Sequence, residues 1–198
     1  MTQPKLNKTS LSLEQKNLKN YKKYLPSLEL KRKKLLSERG IVAGLIAQLK
    51  EKEKELVVHV ENQLPMVNEN MDDLSQYIKV KQFDLQEENI VGVKLPVLKS
   101  IQFMVLDYPY LNTPHWFEPL MHRVAEFLEI RLRLKLAFSR LQLLDKAIQT
   151  VTQRKNLFEK VLIPNALNHI RLIQIFLSDN ERAAVVRSKI AKKKRQLL

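Results

Sequence analysis

Four histidines, His59, His115, His122 and His169, are the side chains of this sequence best suited to hold a metal or move a proton. Zinc chemistry needs them in a compact set such as HExxH, and they form none. His115 and His122 fit one face of a helix, two turns apart, but no further ligand accompanies them. There is no cysteine, so neither a thiolate site nor a disulfide is possible. A phosphate-cradling loop needs clustered glycines followed by Lys. The chain has 3 glycines, Gly40, Gly44 and Gly92, and none precedes a lysine. GxSxG is absent, and no Ser/His/Asp arrangement has a local signature. The aromatic cluster Tyr108, Tyr110, Trp116 and Phe117 reads as packing rather than as a ligand cage. The sequence therefore points to a non-catalytic protein without cofactor or metal.

Charge is what remains. The formal net charge is +14 over 198 residues, which calls for an acidic partner surface, nucleic acid or anionic lipid. The opening MTQPKLNKTS has no apolar signal core. No run approaches the ~18 apolar residues of a membrane span. A cytoplasmic protein without direct membrane insertion is expected.

Few glycines and 28% charged residues suit long helices better than a compact α/β domain. From about Leu11 to Leu74, positions 18, 21, 25, 28, 32, 35, 39, 42, 46, 49, 53, 56 and 60 alternate gaps of three and four. Ten of these thirteen are apolar, as a heptad seam requires. Gly40 and Gly44 weaken this helix and admit close approach by a partner backbone. A second periodic segment starts near Trp116 and carries Leu120, Val124, Phe127, Leu134, Phe138, Leu141, Leu144, Ile148 and Val151. After the polar stretch Thr152–Asn156 it continues through Leu157, Phe158, Val161 and Leu162 to Leu167, Ile170, Ile173, Phe176 and Leu177.

Between these helices the texture changes. IKVKQF at 78–83 alternates, and 89–110 is β-rich, with Gly92 and Pro96, before the turn residues LNTP. The expected fold is all-α dominated: a long antiparallel two-helix coiled coil, a helical hairpin rod, with a small β-hairpin head. Its parts are a flexible tail (1–10), a first helix (11–74), a connecting head (75–115) and a second helix with a basic end (116–198). Helices of this length span about 90–120 Å. A coarse alignment puts Pro26 level with Pro164, each an interruption of its helix. Alternatively, Pro26 lies in the first turn of helix one. Antiparallel pairing also brings the basic stretch from Lys16 to Arg39 to the same end as Arg187–Arg195, which carries six basic residues and no acid. Lys31, Arg32, Arg182, Arg187, Lys189, Lys192, Lys193, Lys194 and Arg195 are the candidate partner contacts.

Three stretches together resemble a known family, the D subunits of V-type (archaeal/vacuolar-type) ATPases. ENIVGVKLPVL at 88–98 is similar to the family's hairpin motif, with Gly92, Val93, Lys94 and Pro96 on the pattern. NLFEKVLIPNALNHIRLIQIFLSDNERAAVVRSKIAKKK at 156–194 resembles its C-terminal helix. The basic run at 6–36 resembles its opening helix, from which Pro26 is a departure. The resemblance implies the central stalk of a rotary motor for ATP synthesis or ion transport. It implies as partners the A and B subunits of the hexamer, the F subunit, and the funnel-shaped subunit of the membrane rotor ring. It also implies a location peripheral to the membrane and a hairpin near the F subunit, while the residues themselves point to a shaft kinked at Pro26 and Pro164. The competing reading is a basic coiled-coil module for nucleic acid or anionic surfaces. It lacks a recognition motif or an aromatic stacking platform, so no nucleic acid is expected.

Overall fold

The computed structural model describes residues 4–63, 77–105 and 114–196. In chain order they form helix α1 (Lys8–Gln63), strands β1 (Ile78–Ile90) and β2 (Val93–Val105), helix α2 (Phe117–Leu157), a π-helical turn (Phe158–Leu162) and helix α3 (Ile163–Gln196). The fold is helix-dominated, with an antiparallel hairpin between two long helical segments, the class that the periodicity implies. Residues 64–74, expected to extend the first helix, lie outside the described residues, as do Tyr108 and Tyr110.

Helix α1 starts where Asn7 caps it, its Oδ1 accepting from the Ser10 N–H at 2.6 Å. Pro26 lies well inside it, so the alternative in which this proline opens the helix does not hold. A proline there forgoes one helical hydrogen bond. The neighbouring Ser27 hydroxyl donates to the Tyr24 carbonyl at 2.7 Å. All thirteen positions of the α1 seam are buried or half-buried except Arg39, which stands at the seam edge and binds Asp145 at 2.6 Å.

The chain divides into two compact units, one made of residues 1–32 with 150–198 and the other of residues 33–149. In the larger unit, α1 and α2 run antiparallel. Arg39 pairs with Asp145, Glu53 with Arg131 at 2.7 Å, and His59 with Arg123 at 3.4 Å. Leu35, Val42, Ile46 and Leu49 meet a core completed by Leu134, Ala137 and Leu144. Ala137 takes the seam place expected of Phe138, which is 41% exposed. Gly40 and Gly44 do not mark a close approach within the chain: a Cβ on either would point into open space.

The hairpin lies back along the helix pair of this unit. At its base Tyr77 meets Phe117 edge-on, ring centroids 5.2 Å apart. Toward its tip Glu88 accepts from Arg140 at 3.2 Å, and Leu95 is completely buried. β2 supplies most of the buried and half-buried side chains, while β1 buries Ile78 at its base and is exposed from Lys79 to Asn89. The ladder slips at Lys81 on β1 and at Lys99 on β2. Such bulges, each with a lysine, bend a strand and discourage pairing along an open edge.

In the smaller unit, α1 runs antiparallel to the end of α2, the π turn and α3. Glu29 binds Lys155 at 3.0 Å, Tyr21 meets Phe158 edge-on at 5.5 Å, and Glu14 faces His169 at 3.5 Å. This register sets Pro26 opposite the start of the π turn, near Phe158, and not opposite Pro164. Val151, Ala166 and Ile173 are its buried residues.

Leu35 has no exposed surface, so a carboxylate there would be desolvated without a partner at a cost of several kcal/mol, on the order of 2–7. Leu35→Asp is expected to lower the thermal midpoint sharply with loss of helicity by circular dichroism. An unchanged melt would show that the seam does not hold the helices together.

Candidate partner-binding surfaces

The C-terminal end of α3 is the most exposed helical surface. Every described residue from Asp179 onward is exposed. α1 begins at Lys8, and Glu14 is already opposite His169, so the last turns of α3 pass beyond the start of α1. They carry Arg182, Arg187, Lys189, Lys192, Lys193, Lys194 and Arg195, with Val185, Val186 and Ile190 also uncovered. No acid follows Glu181. Arg182 reaches Asp179 only at the 4.0 Å limit of an ion pair. Isolated helices shorter than about 12–15 residues are marginal in water, and tertiary packing normally supplies the rest. This end has no such packing from the described residues.

The structure separates the two basic groups that simple end-to-end pairing would set side by side. Lys31 and Arg32 are half-buried at the level of Lys155, far along α1 from its start. Arg32 Nε is buried and has no hydrogen-bond acceptor among the described residues. Lys155 lies between Glu29 and Glu159, with its side chain 20% exposed. The hydrogen bond to Glu29 raises its pKa above the ordinary lysine value of 10.5, with smaller help from both carboxylates and opposition from burial and Arg32.

At the hairpin tip, Val91 and Gly92 both have positive φ, 52° and 82°. A two-residue loop with both φ positive is the type I′ arrangement, which matches strand twist and favours Asn-Gly. Gly92 meets that need, and its N–H donates to Asn89 Oδ1 at 2.9 Å. Val91 does not, since a β-branched side chain is strained at positive φ. Val93 is half-buried. Lys94 is exposed and bound to Glu87 at 2.8 Å, which raises its pKa through that hydrogen bond first and through charge attraction second. Pro96, with Val97 and Leu98, lines an open groove of about 430 Å³ against Leu45, Leu49, Ala137 and Arg140. Sequence reasoning missed Leu95 as the anchor of this tip. Its place in the alternating pattern of β2 was the available signal.

A second open groove of about 700 Å³ is lined by Leu128, Leu132, Phe138, Lys50, Arg131 and Lys135, among others. The Lys50 ammonium stands over the Phe138 ring at 5.4 Å, a favourable cation–π placement. This surface was not legible in the sequence, because Phe138 has the spacing of a seam residue.

The histidines are dispersed. His115 precedes α2 and does not share a helix face with His122, while His59 and His169 face Arg123 and Glu14. Among the described residues no three His, Cys, Asp or Glu side chains come together as a metal site. No helix among them is long and apolar enough to cross a membrane.

These features define a helical-hairpin protein whose notable surfaces suit contacts with other macromolecules. Comparison with known proteins makes this specific. The family model for the ATP synthase D subunit matches residues 10–193. The V-type ATP synthase D subunit of Borreliella burgdorferi is 33% identical over 192 residues, covering 97% of this chain and 95% of the relative. The V-type ATP synthase D subunit of Chlamydia muridarum is 34% identical over 200 residues, covering 98% and 97%. The chain belongs to the ATP synthase D subunit family.

Two outcomes test the local chemistry. Val91→Asn is expected to stabilise the protein by roughly 1 kcal/mol, the scale of such backbone strain, read as a higher denaturation midpoint; Gly92→Ala should lower it. For Lys155, a raised folded-state pKa means stabilisation that is complete below pH 10.5 and lost as pH rises through the folded value. The stability difference between the wild type and Lys155→Met should therefore persist through neutral pH and shrink in alkaline titration. A difference that instead grew with pH would contradict the ion-pair assignment.

Proposed function

We propose that this protein is the central stalk of a V-type rotary ATPase, a non-catalytic subunit that transmits torque between the catalytic A/B hexamer and the ion-translocating membrane ring. Family membership supports it. The observation that carries it is the end of α3, a bare helix with basic and apolar side chains on all sides, which a ring of surrounding subunits would cover. In this reading Arg182, Arg187, Lys189 and Lys192–Arg195 face the hexamer, while Lys31 and Arg32 contact it further along. The hairpin from Gly92 to Pro96 lies near the F subunit, and the funnel-shaped subunit of the membrane ring receives the other end. The protein is then cytoplasmic and peripheral to the membrane.

The charge suits rotation. Exposed ion pairs contribute about 0–1 kcal/mol each, so a diffuse basic surface attracts the hexamer without any one pair locking the shaft. A shaft kinked at Pro26 and Pro164 would also present a different side to each catalytic site, biasing each toward a different state.

Replacing Lys192, Lys193, Lys194 and Arg195 together by Gln is expected to weaken assembly with the A/B hexamer and to flatten its salt dependence. Any single replacement should be nearly silent. Titration of the reconstituted complex at several salt concentrations reads both effects. Unchanged assembly and salt response in the quadruple variant would remove the basic end from the hexamer contact. Tight, salt-dependent binding of duplex DNA by the wild type, lost in the same variant, would favour the nucleic-acid module instead.

A further inference from the structure

Through Val151, Lys155, Phe158 and Leu162 the covered stripe of the smaller unit alternates gaps of four and three. Continued, that rhythm next falls on Asn165, His169, Leu172 and Phe176. Asn165 and His169 stay half-buried, but Leu172 and Phe176 are 54% and 40% exposed, while Ala166 and Ile173 are 3% and 0% exposed. Ile170 and Leu177 are half-buried. By Ile173 the stripe has moved by one residue. A π turn holds one residue more than an α turn, and Phe158–Leu162 is such a turn, with the Ile163 N–H donating back to the Phe158 carbonyl.

The cause of the wide turn is therefore the seam. With one residue too many between Phe158 and Ile163, where the shifted series Ile163, Ala166, Ile170, Ile173 and Leu177 begins, a continuous α-helix would turn Leu172 and Phe176 inward and Ile173 out. Pro164 follows directly, where a widened backbone relieves the clash its ring makes in a regular helix. Across the seam, the pairs Glu29–Lys155 and Tyr21–Phe158 bring α1's own interruption, Pro26, to the same level. There α1 stays helical but lacks the hydrogen bond that Pro26 cannot donate, and the facing backbone is the π turn.

We propose that this level, Tyr21–Ser27 against Phe158–Pro164, is a flexure built into the helix pair by a one-residue insertion. Both backbones open and twist there more readily than in the stretches on either side of it within the same unit. The inference concerns the chain alone and stands whether or not the rotor reading holds.

Residue-resolved amide hydrogen exchange on the isolated full chain tests it. Amides of residues 159–167 are expected to exchange about tenfold faster than those of residues 170–177, on the scale of local opening. Residues 170–177 lie nearer the end of the pairing, so simple fraying gives the opposite order, and that order would overturn the flexure. Two variants test its origin. Pro164→Ala alone leaves the extra residue in place and should keep the fast-exchanging stretch. Pro164→Ala combined with deletion of the exposed Lys160 restores the three–four rhythm, and should remove the fast stretch and raise the thermal midpoint. Loss of fast exchange in Pro164→Ala alone would assign the feature to the proline and overturn the insertion as its source. Should the deletion variant fail to fold, the wild type and Pro164→Ala still decide both points.

Discussion

Burial of a narrow apolar stripe between antiparallel helices is the interaction on which the rest of this structure depends. A fully buried aliphatic side chain contributes about 1.5–3 kcal/mol, and the stripe is the main source of such burial in each unit. Leu35, Leu144 and Ile173 lose all their exposed surface to it. Long helices in water need this support, since propensity alone does not hold them. The consequence is a division of labour around each helix. One side is fixed by packing, and the remainder is free to carry charge, as the exposed lysines and arginines do.

The same constraint explains where the chain departs from regularity. A seam repeats only if the number of residues between contacts matches the helical turn. One extra residue cannot be absorbed by side chains, because it would rotate every later apolar group by a full residue step. The backbone absorbs it at Phe158–Leu162, and the regular seam resumes with Ala166 and Ile173. Where the seam ends, nothing further from the described residues covers α3, and its basic end stays exposed.

The hairpin obeys a different logic. Two strands alone are marginal in water, and this pair is held by docking one strand, β2, on the α1–α2 surface. The buried Leu95, the Glu88–Arg140 contact and the Tyr77–Phe117 ring pair fasten it at both ends. Its outward strand stays charged and bulged. Membership of the ATP synthase D subunit family gives these separate features one setting, a subunit of a larger complex.

The sequence by itself determined the periodic elements. Heptad spacing from Leu18 to Val60 is a property of a single helix, and it named twelve of the thirteen seam positions that the structure covers. Turn chemistry likewise marked Gly92, because a backbone with φ of 82° is accessible to glycine at little steric cost. Tertiary structure alone decided how the elements meet. The pairing of α1 with α2 and α3 depends on side chains distant in sequence, so it set Pro26 against Phe158 and left Arg187–Arg195 past the start of α1. It also placed the hairpin along the helices, through the burial of Leu95. Phe138 and Ala137 show why such choices cannot be read from spacing. Both lie near the seam of a helix with 3.6 residues per turn, and only the width of the gap opposite selects the smaller residue for the inside and leaves the ring to Lys50.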